Sequence, residues 1–456
     1  MNFFRPFWLD EIYTLLQINV PNILILLSNF YQGTDTNPPF YFLFFYALKN
    51  YFQIEEKYFR LISYIFTTSG IALLYFNPLL KKYREEVLII TLVSPFILFY
   101  LSSEVRAYPL IFFLGSVLLL IISRDNISSI KKHSLIALIC FLLLFTHYYS
   151  LFYVLVIFIV QIKSLLGQRK YKEIFIYLMP VLIFIIWIPA IQNQIKSVNS
   201  YFWQNKVSLN QLILFPKFFF GKTLLVVIPF LIFSLFNFTF KDKFRYMIKY
   251  QEFYIILLGW LLIPYIIGLL SFFIDIPFVE RYFTLSFFPF VIGIVYIIPD
   301  KINIRWLQIT LMSLILINIW NIFVNYKKIE KEKEILNKRL SLLQKGNVIC
   351  ESPHVFYPLN YYSKNQGIYR AYFVLDLESA SIKGNIKNAL FDYYGNKYLR
   401  KYFYLPQVLE WNELNKKLNQ FFIIDEPNRM FFEYRILNRS DYKLNEIEKN
   451  IFWVQK

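Results

Sequence analysis

A few ionisable residues interrupt long apolar runs in the first part of this chain, and these are where chemistry could sit. FWLDEIYT, residues 7–14, sets the adjacent acids Asp10 and Glu11 beside Trp8. Carboxylates desolvated at a membrane surface shift upward in pKa, which suits a base that takes a proton from a hydroxyl; the plain alternative is two solvated juxtamembrane acids. TDTNPPFYFLFFYALKNYF, residues 34–52, places Asp35 and Asn37 before Pro38 and Pro39, where a loop enters a helix's first turn, and Arg60 opens the next apolar run. An ordinary capped interfacial helix reads the same way. SPFILFYLSSEVRAYPL, residues 94–110, carries Glu104, Arg106 and Tyr108, and FVERYF carries Arg281. Either arginine could grip a phosphate bidentately or anchor a helix at an interface. His147 in THYYS could hydrogen-bond a lipid phosphate or a sugar, or be a structural interfacial histidine. The stretch 192–222, with Tyr201 and Trp203, could bind an acceptor, act as a lid or anchor in the bilayer.

Other chemistries lack their residues. Cys140 and Cys350 cannot build a disulfide framework or a thiolate metal site, and three histidines exclude a His-rich cluster. There is no GxGxxG, no P-loop and no Asp-x-Asp, so a soluble nucleotide-linked donor held through a divalent metal has no visible site. No cofactor is certain, and a divalent metal stays open. A donor delivered within the membrane is left.

The elements that must position these residues are membrane spans. Of 456 residues 57% are hydrophobic and only 17% charged, against roughly 45–50% and 25% in soluble domains. The net charge of +18 is divided between both parts of the chain without the dense basic stripe of a nucleic-acid binder. Ten segments approach the roughly 20 apolar residues of a span: 59–78, 87–101, 107–123, 134–147, 150–166, 173–190, 223–239, 253–274, 282–299 and 306–324. Because 134–166 is too long for one span, His147 to Tyr149 mark a hairpin at one membrane face.

Charge orients them. Alternate loops hold 16 basic residues, among them Lys81, Lys131, Arg169, Lys241 and Lys301, while the intervening loops hold six. The richer set is cytoplasmic by the positive-inside rule. The segment 38–52 is then an interfacial helix, since a further crossing would invert every later loop. Residues 1–58 are expected as an extracytoplasmic catalytic loop, 59–326 as a transmembrane domain of about ten helices, and 327–456 as an extracytoplasmic α/β domain. This arrangement leaves room for an N-terminal span, or an upstream start, ahead of Met1. In the last part a charged helical stretch, 327–345, precedes short apolar runs such as YRAYFVLDL and FFIIDE that alternate with helical patterns.

In order along the chain, WLDE, DTNPP, Arg60, SSEVRAY, HYY and ERY resemble the motifs of the GT-C superfamily, specifically the protein mannosyltransferase-like glycosyltransferases (family 39) and the aminoarabinose transferase group. The resemblance covers about residues 7–330. It implies an α-helical polytopic membrane protein of GT-C type with a small C-terminal α/β extracytoplasmic domain. It also implies an enzyme in the cell membrane that passes a sugar, with inversion, from a polyprenyl-phosphate carrier to a lipid, glycan or protein acceptor at the outer face. Asp10 would be the general base, with Glu11 shaping its charge and position. Arg106 and Arg281, with His147, would meet the donor phosphate, and Asp35, Asn37, Glu104, Tyr108 and Arg60 would bind substrate. Asn37 departs from the family's His or Lys and supplies a neutral hydrogen bond there. A polysaccharide polymerase or ligase, or a flippase handling lipid-linked sugars, is the alternative; nucleic acid is not an expected partner.

Overall fold

The computed structural model describes residues 5–124, 127–198, 207–228, 250–274, 276–297, 304–382, 386–425 and 442–456. Its opening stretch folds as three short helices, α1 (Leu9–Ile18), α2 (Ile23–Gln32) and α3 (Phe40–Asn50). The loop expected around Asp10 is instead the first turn of α1. The cause is local: the Glu11 side chain reaches back to accept the Trp8 N–H at 3.2 Å, and Leu9, Ile12, Leu15 and Ile18 recur on a buried face. α2 was not anticipated either. Asn22 caps its start and Gly33 ends it at φ +91°, a left-handed position that favours glycine. A Cβ at Gly33 would also lie 3.0 Å from the Asn193 carbonyl oxygen, so the same residue lets a later helix dock on α2.

α3 follows Pro38 and Pro39 as expected. Its 11 residues reach about 16 Å, roughly half the thickness of a bilayer's hydrocarbon core, so it does not span alone. Tyr41, Phe42, Phe45 and Tyr46 form its buried face.

Apolar helices α4 (Phe59–Tyr75), α5 (Arg84–Leu92), α6 (Tyr108–Ile122), α7 (Ser129–Leu144), α8 (Ser150–Gly167), α9 (Tyr171–Ile186) and α10 (Ile188–Val198) follow, with Gln251–Leu270 and Phe287–Ile297 later. Three helices among the described residues are long and apolar enough to cross a membrane, or up to six if each bent pair is one span. α7 and α8 meet around His147 in the expected hairpin. The segment 87–101 differs from one continuous span. α5 stops at Leu92 ahead of Pro95, which supplies no N–H. A π-turn at Phe96–Tyr100 and a 3-10 turn at Leu101–Ser103 continue the chain, and it bends by 111° into α6. That bend holds Glu104 and Arg106.

Small residues bring the helices close. A Cβ on Gly70 would lie 2.7 Å from the Phe112 ring, and one on Gly115 would lie 2.4 Å from Leu285, so α6 packs tightly against α4 on one side and the Glu280–Ser286 turn on the other. Most of the segment 223–239, the basic stretch 241–249, Lys301, Lys206, Tyr201 and Trp203 lie outside the described residues.

The expected span 306–324 and the charged stretch 327–345 form one helix, Ile304–Lys345. It leads into a six-stranded mixed sheet of β1 (Val348–Cys350), β2 (Ala371–Leu375), β3 (Val408–Glu410), β4 (Gln420–Ile424), β5 (Lys443–Glu448) and β6 (Ile451–Gln455). The order is β3-β2-β1-β4-β6-β5. β1 to β4 pair in parallel and β5 and β6 antiparallel, and β1 and β2 are buried throughout, as strands covered on both faces require. Helix Pro353–Lys364, between β1 and β2, carries the domain's contacts to α1.

Candidate active site

The site forms where the first turn of α1, the bend before α6, the α7–α8 hairpin and the Glu280–Ser286 turn converge. Glu11 anchors it. This carboxylate has no solvent exposure and accepts four N–H groups: Arg60 Nε at 3.0 Å and Nη2 at 2.6 Å, Val105 N at 3.0 Å and Trp8 N at 3.2 Å. Arg60, also buried, donates to the Pro6 carbonyl at 3.1 Å and lies 4.5 Å from the Phe7 ring. A bidentate buried pair with its remaining valences filled is the geometry in which two desolvated charges hold together. Glu11 and Arg60 therefore neutralise each other, and together they fasten α1, α4 and the 104–106 bend.

The neighbouring acid points elsewhere. Asp10 Oδ2 accepts Arg281 Nη2 at 2.8 Å, and both side chains keep partial exposure, 19% and 17%. Arg106 Nη1 donates to the Asp10 main-chain carbonyl at 3.2 Å. A carboxylate and two guanidinium groups, separated by 96 and 271 residues along the chain, thus share one site. Aromatic rings line it. Arg281 lies 5.5 Å from the Trp8 ring and 5.8 Å from that of Tyr108, and its Nη1 donates to Tyr100 OH at 3.4 Å. Tyr282 sits 4.8 Å from the His147 ring and 6.4 Å from that of Tyr108.

Three groups in the connecting loops have shifted proton affinities. Burial, then the Glu11 carboxylate, push Glu104 up to about 8, so it is neutral at physiological pH. His147 is pushed down to about 3 by burial, then by Arg106 and Arg281. Its Nδ1 accepts the Tyr149 N–H at 3.2 Å, which leaves the proton of the neutral ring on Nε2 as a donor. Desolvation raises Asp35 against the pull of Arg106. Asp35 Oδ1 accepts both the Asn37 N–H, at 2.9 Å, and the Asn37 side-chain amide, at 2.8 Å. Asn37 also lines a narrow cleft with Tyr41, Arg106, Tyr108 and His147, so the ten residues given roles by the resemblance fall in or around this one region, while Tyr201 and Trp203 lie outside the described residues.

Unmet polarity concentrates here. Trp8 Nε1, Tyr41 OH, Glu104 Oε2, Tyr108 OH and Arg281 Nε are all buried with no hydrogen-bond partner among the described residues. A buried polar atom left this way costs about 1–3 kcal/mol and calls for a reason, such as a missing ligand. The arrangement suits an anion beside a base: two guanidinium groups, a neutral imidazole N–H and phenol hydroxyls around one carboxylate. No group of three or more His, Cys, Asp or Glu is placed to hold a metal ion among the described residues. Tyr41 and Tyr100 were missed in the sequence, since nothing local separates them from the other tyrosines among 36.

No family model matches the chain, and no curated protein matches it. Two solved structures share its fold: ArnT from Cupriavidus metallidurans bound to undecaprenyl phosphate, and the same protein in the apo state. Each superposes with a TM-score of 0.54 at 10% identity, covering 98% of this chain and 93% or 92% of the other. The architecture is thus an ArnT-like helical membrane fold with a C-terminal mixed sheet.

Proposed function

We propose that this protein is an integral membrane glycosyltransferase that moves a sugar from a polyprenyl-phosphate carrier to a lipid, glycan or protein acceptor of the cell envelope, at the outer face and with inversion. The reading rests chiefly on the meeting of Asp10, Arg106 and Arg281 in one partly open, aromatic-walled site. In the transfer, an acceptor hydroxyl gives its proton to an Asp10 carboxylate oxygen and its oxygen attacks the sugar's anomeric carbon. The bond from that carbon to the phosphate oxygen breaks, and its electron pair leaves on the phosphate. Positive charge grows at the sugar carbon, as in glycoside hydrolysis, and negative charge on the leaving group. Arg106 and Arg281 meet that negative charge, and the His147 Nε2–H adds a neutral donor.

Glu11 and Arg60 act through position, holding the α1 turn that presents Asp10. Asp35, Asn37 and the neutral Glu104 face sugar or acceptor hydroxyls. The ArnT fold, seen with undecaprenyl phosphate in that protein, supports a polyprenyl-phosphate ligand. Packing of helix Pro353–Lys364 on α1 supports placing the C-terminal domain on the same side as Asp10: Tyr362 OH accepts the Phe7 N–H at 2.7 Å, and the Tyr13 and Tyr357 rings lie 4.9 Å apart.

The test is sugar transfer from a polyprenyl-phosphate donor by purified protein. Asp10→Asn keeps the shape and removes the base, and a loss of at least 100-fold in turnover is expected, within the usual ~10²–10⁴ range for a general base. Full turnover in that variant would end the assignment.

A further inference from the structure

The cleft beside Arg106 contains more hydrogen-bond capacity than the empty protein uses. Tyr41, on α3, and Tyr108, at the start of α6, both line it, both are almost completely buried, and both hydroxyls lack a partner among the described residues. Neither ring is loose. Tyr41 packs against Phe42 and Phe45 at 5.6 and 4.7 Å, and Tyr108 against Tyr100 and His147 at 6.1 and 5.8 Å. Two desolvated phenols left unsatisfied are costly unless a ligand completes them, and because the cleft is too narrow here to admit water, that ligand must part its walls to enter.

The other groups around the cleft indicate what that ligand is. Arg106 supplies a positive charge, and Nε2 of the neutral His147 carries an N–H. The Asn37 side-chain amide gives one of its N–H groups to Asp35, at 2.8 Å. The cleft lining carries one charge, the Arg106 cation, and with the His147 N–H and the two phenol hydroxyls this favours a compact oxyanion over an uncharged sugar. Its walls are Phe42 and Ala107, which give a bulky polar group no further partner.

We infer that Tyr41 and Tyr108 are phosphate-binding residues, each donating its hydroxyl to an oxygen of the donor lipid's phosphate as that group seats against Arg106. The assignment rests on the polyprenyl-phosphate reading above and deepens it. It gives the phosphate two neutral donors whose bonds strengthen as negative charge collects on the leaving group, without adding a cation that would hold the product too tightly.

The experiment measures binding of sugar-free polyprenyl monophosphate to the full chain in detergent, with the corresponding polyprenol as a phosphate-free control. Wild type, Tyr41→Phe, Tyr108→Phe and the double variant are compared, each with its melting temperature alone and with lipid. Each single variant is expected to bind the phosphate roughly tenfold more weakly, as one lost bond to a charged group implies. Polyprenol binding stays unchanged. Because the deleted hydroxyls are unpartnered, the empty variants melt no lower than wild type, which separates a lost ligand contact from a damaged fold. Unchanged phosphate affinity in both variants would overturn the assignment alone. A deficit confined to the sugar-bearing donor would overturn it by moving the hydroxyls to the sugar. Failure of the wild type itself to bind the lipid phosphate would overturn the donor reading and this assignment with it.

Discussion

Glu11 and Arg60 are expected to stand or fall as a pair. Arg60 is 2% exposed and its guanidinium meets the Glu11 carboxylate at 2.6 and 3.0 Å. Glu11→Ala would leave that charge buried and would also strip the Trp8 and Val105 N–H groups of their acceptor. Removing one member of a buried pair costs about 3–5 kcal/mol, and Arg60→Ala should cost a similar amount for the mirror-image reason. The double variant orphans neither charge of the pair, and only the more exposed Arg5, 3.6 Å from Glu11, loses a carboxylate, so its cost should fall short of the sum of the singles by about 3 kcal/mol. Denaturant titration of the four proteins in detergent micelles, followed by tryptophan fluorescence, measures the cycle. Single costs below about 1 kcal/mol, or costs that simply add, would show that this pair does not fasten the α1 turn. Activity in the double variant carries a second expectation: turnover falls because Asp10 is no longer held, even where the fold survives.

Further expectations follow from the same geometry. Glu104 ionises near 4.5 in the unfolded chain but only near 8 when folded, so the unfolded state releases this proton first. Stability should fall as pH rises between those values and level off above them, and Glu104→Gln should flatten that slope in thermal melts across pH. Gly115→Ala places a methyl group 2.4 Å from Leu285. It should push the turn bearing Arg281 off α6 and lower turnover more than it lowers the melting temperature. Tyr362→Phe removes the acceptor of the Phe7 N–H and should cost about 1 kcal/mol while reducing turnover with little change in donor KM.

The parts of this molecule visible in its sequence are those written as local pattern. Long apolar runs gave the positions of α4, α6, α8 and Gln251–Leu270, and the too-long run at 134–166 marked the hairpin at His147. The strands at 371–375, 420–424 and 451–455 were visible as short apolar runs, whereas β5, with mostly exposed polar residues, was not. α1 was hidden because Trp8 stands at its N-cap and makes no side-chain cap, where a serine, threonine or aspartate would announce a helix start. Charge and sparsity in apolar surroundings picked out Asp10, Arg106 and Arg281. The resemblance separated Asp10 from Glu11, but the physical difference between them was not in the local sequence, because it depends on Arg60, 49 residues away, pairing with Glu11. Tyr41 is set apart by what its hydroxyl fails to touch, a property of the folded state.

The bond from Phe7 to Tyr362 joins chain positions 355 residues apart, one step from the residue that caps the helix bearing Asp10. During synthesis the amino-terminal segment leaves the ribosome long before its partner has been translated. Until the rest of the chain arrives, that amide must bond to water or to something temporary. The turn that presents Asp10 therefore gains this bond only after the C-terminal domain has been made, so its geometry is completed late in folding.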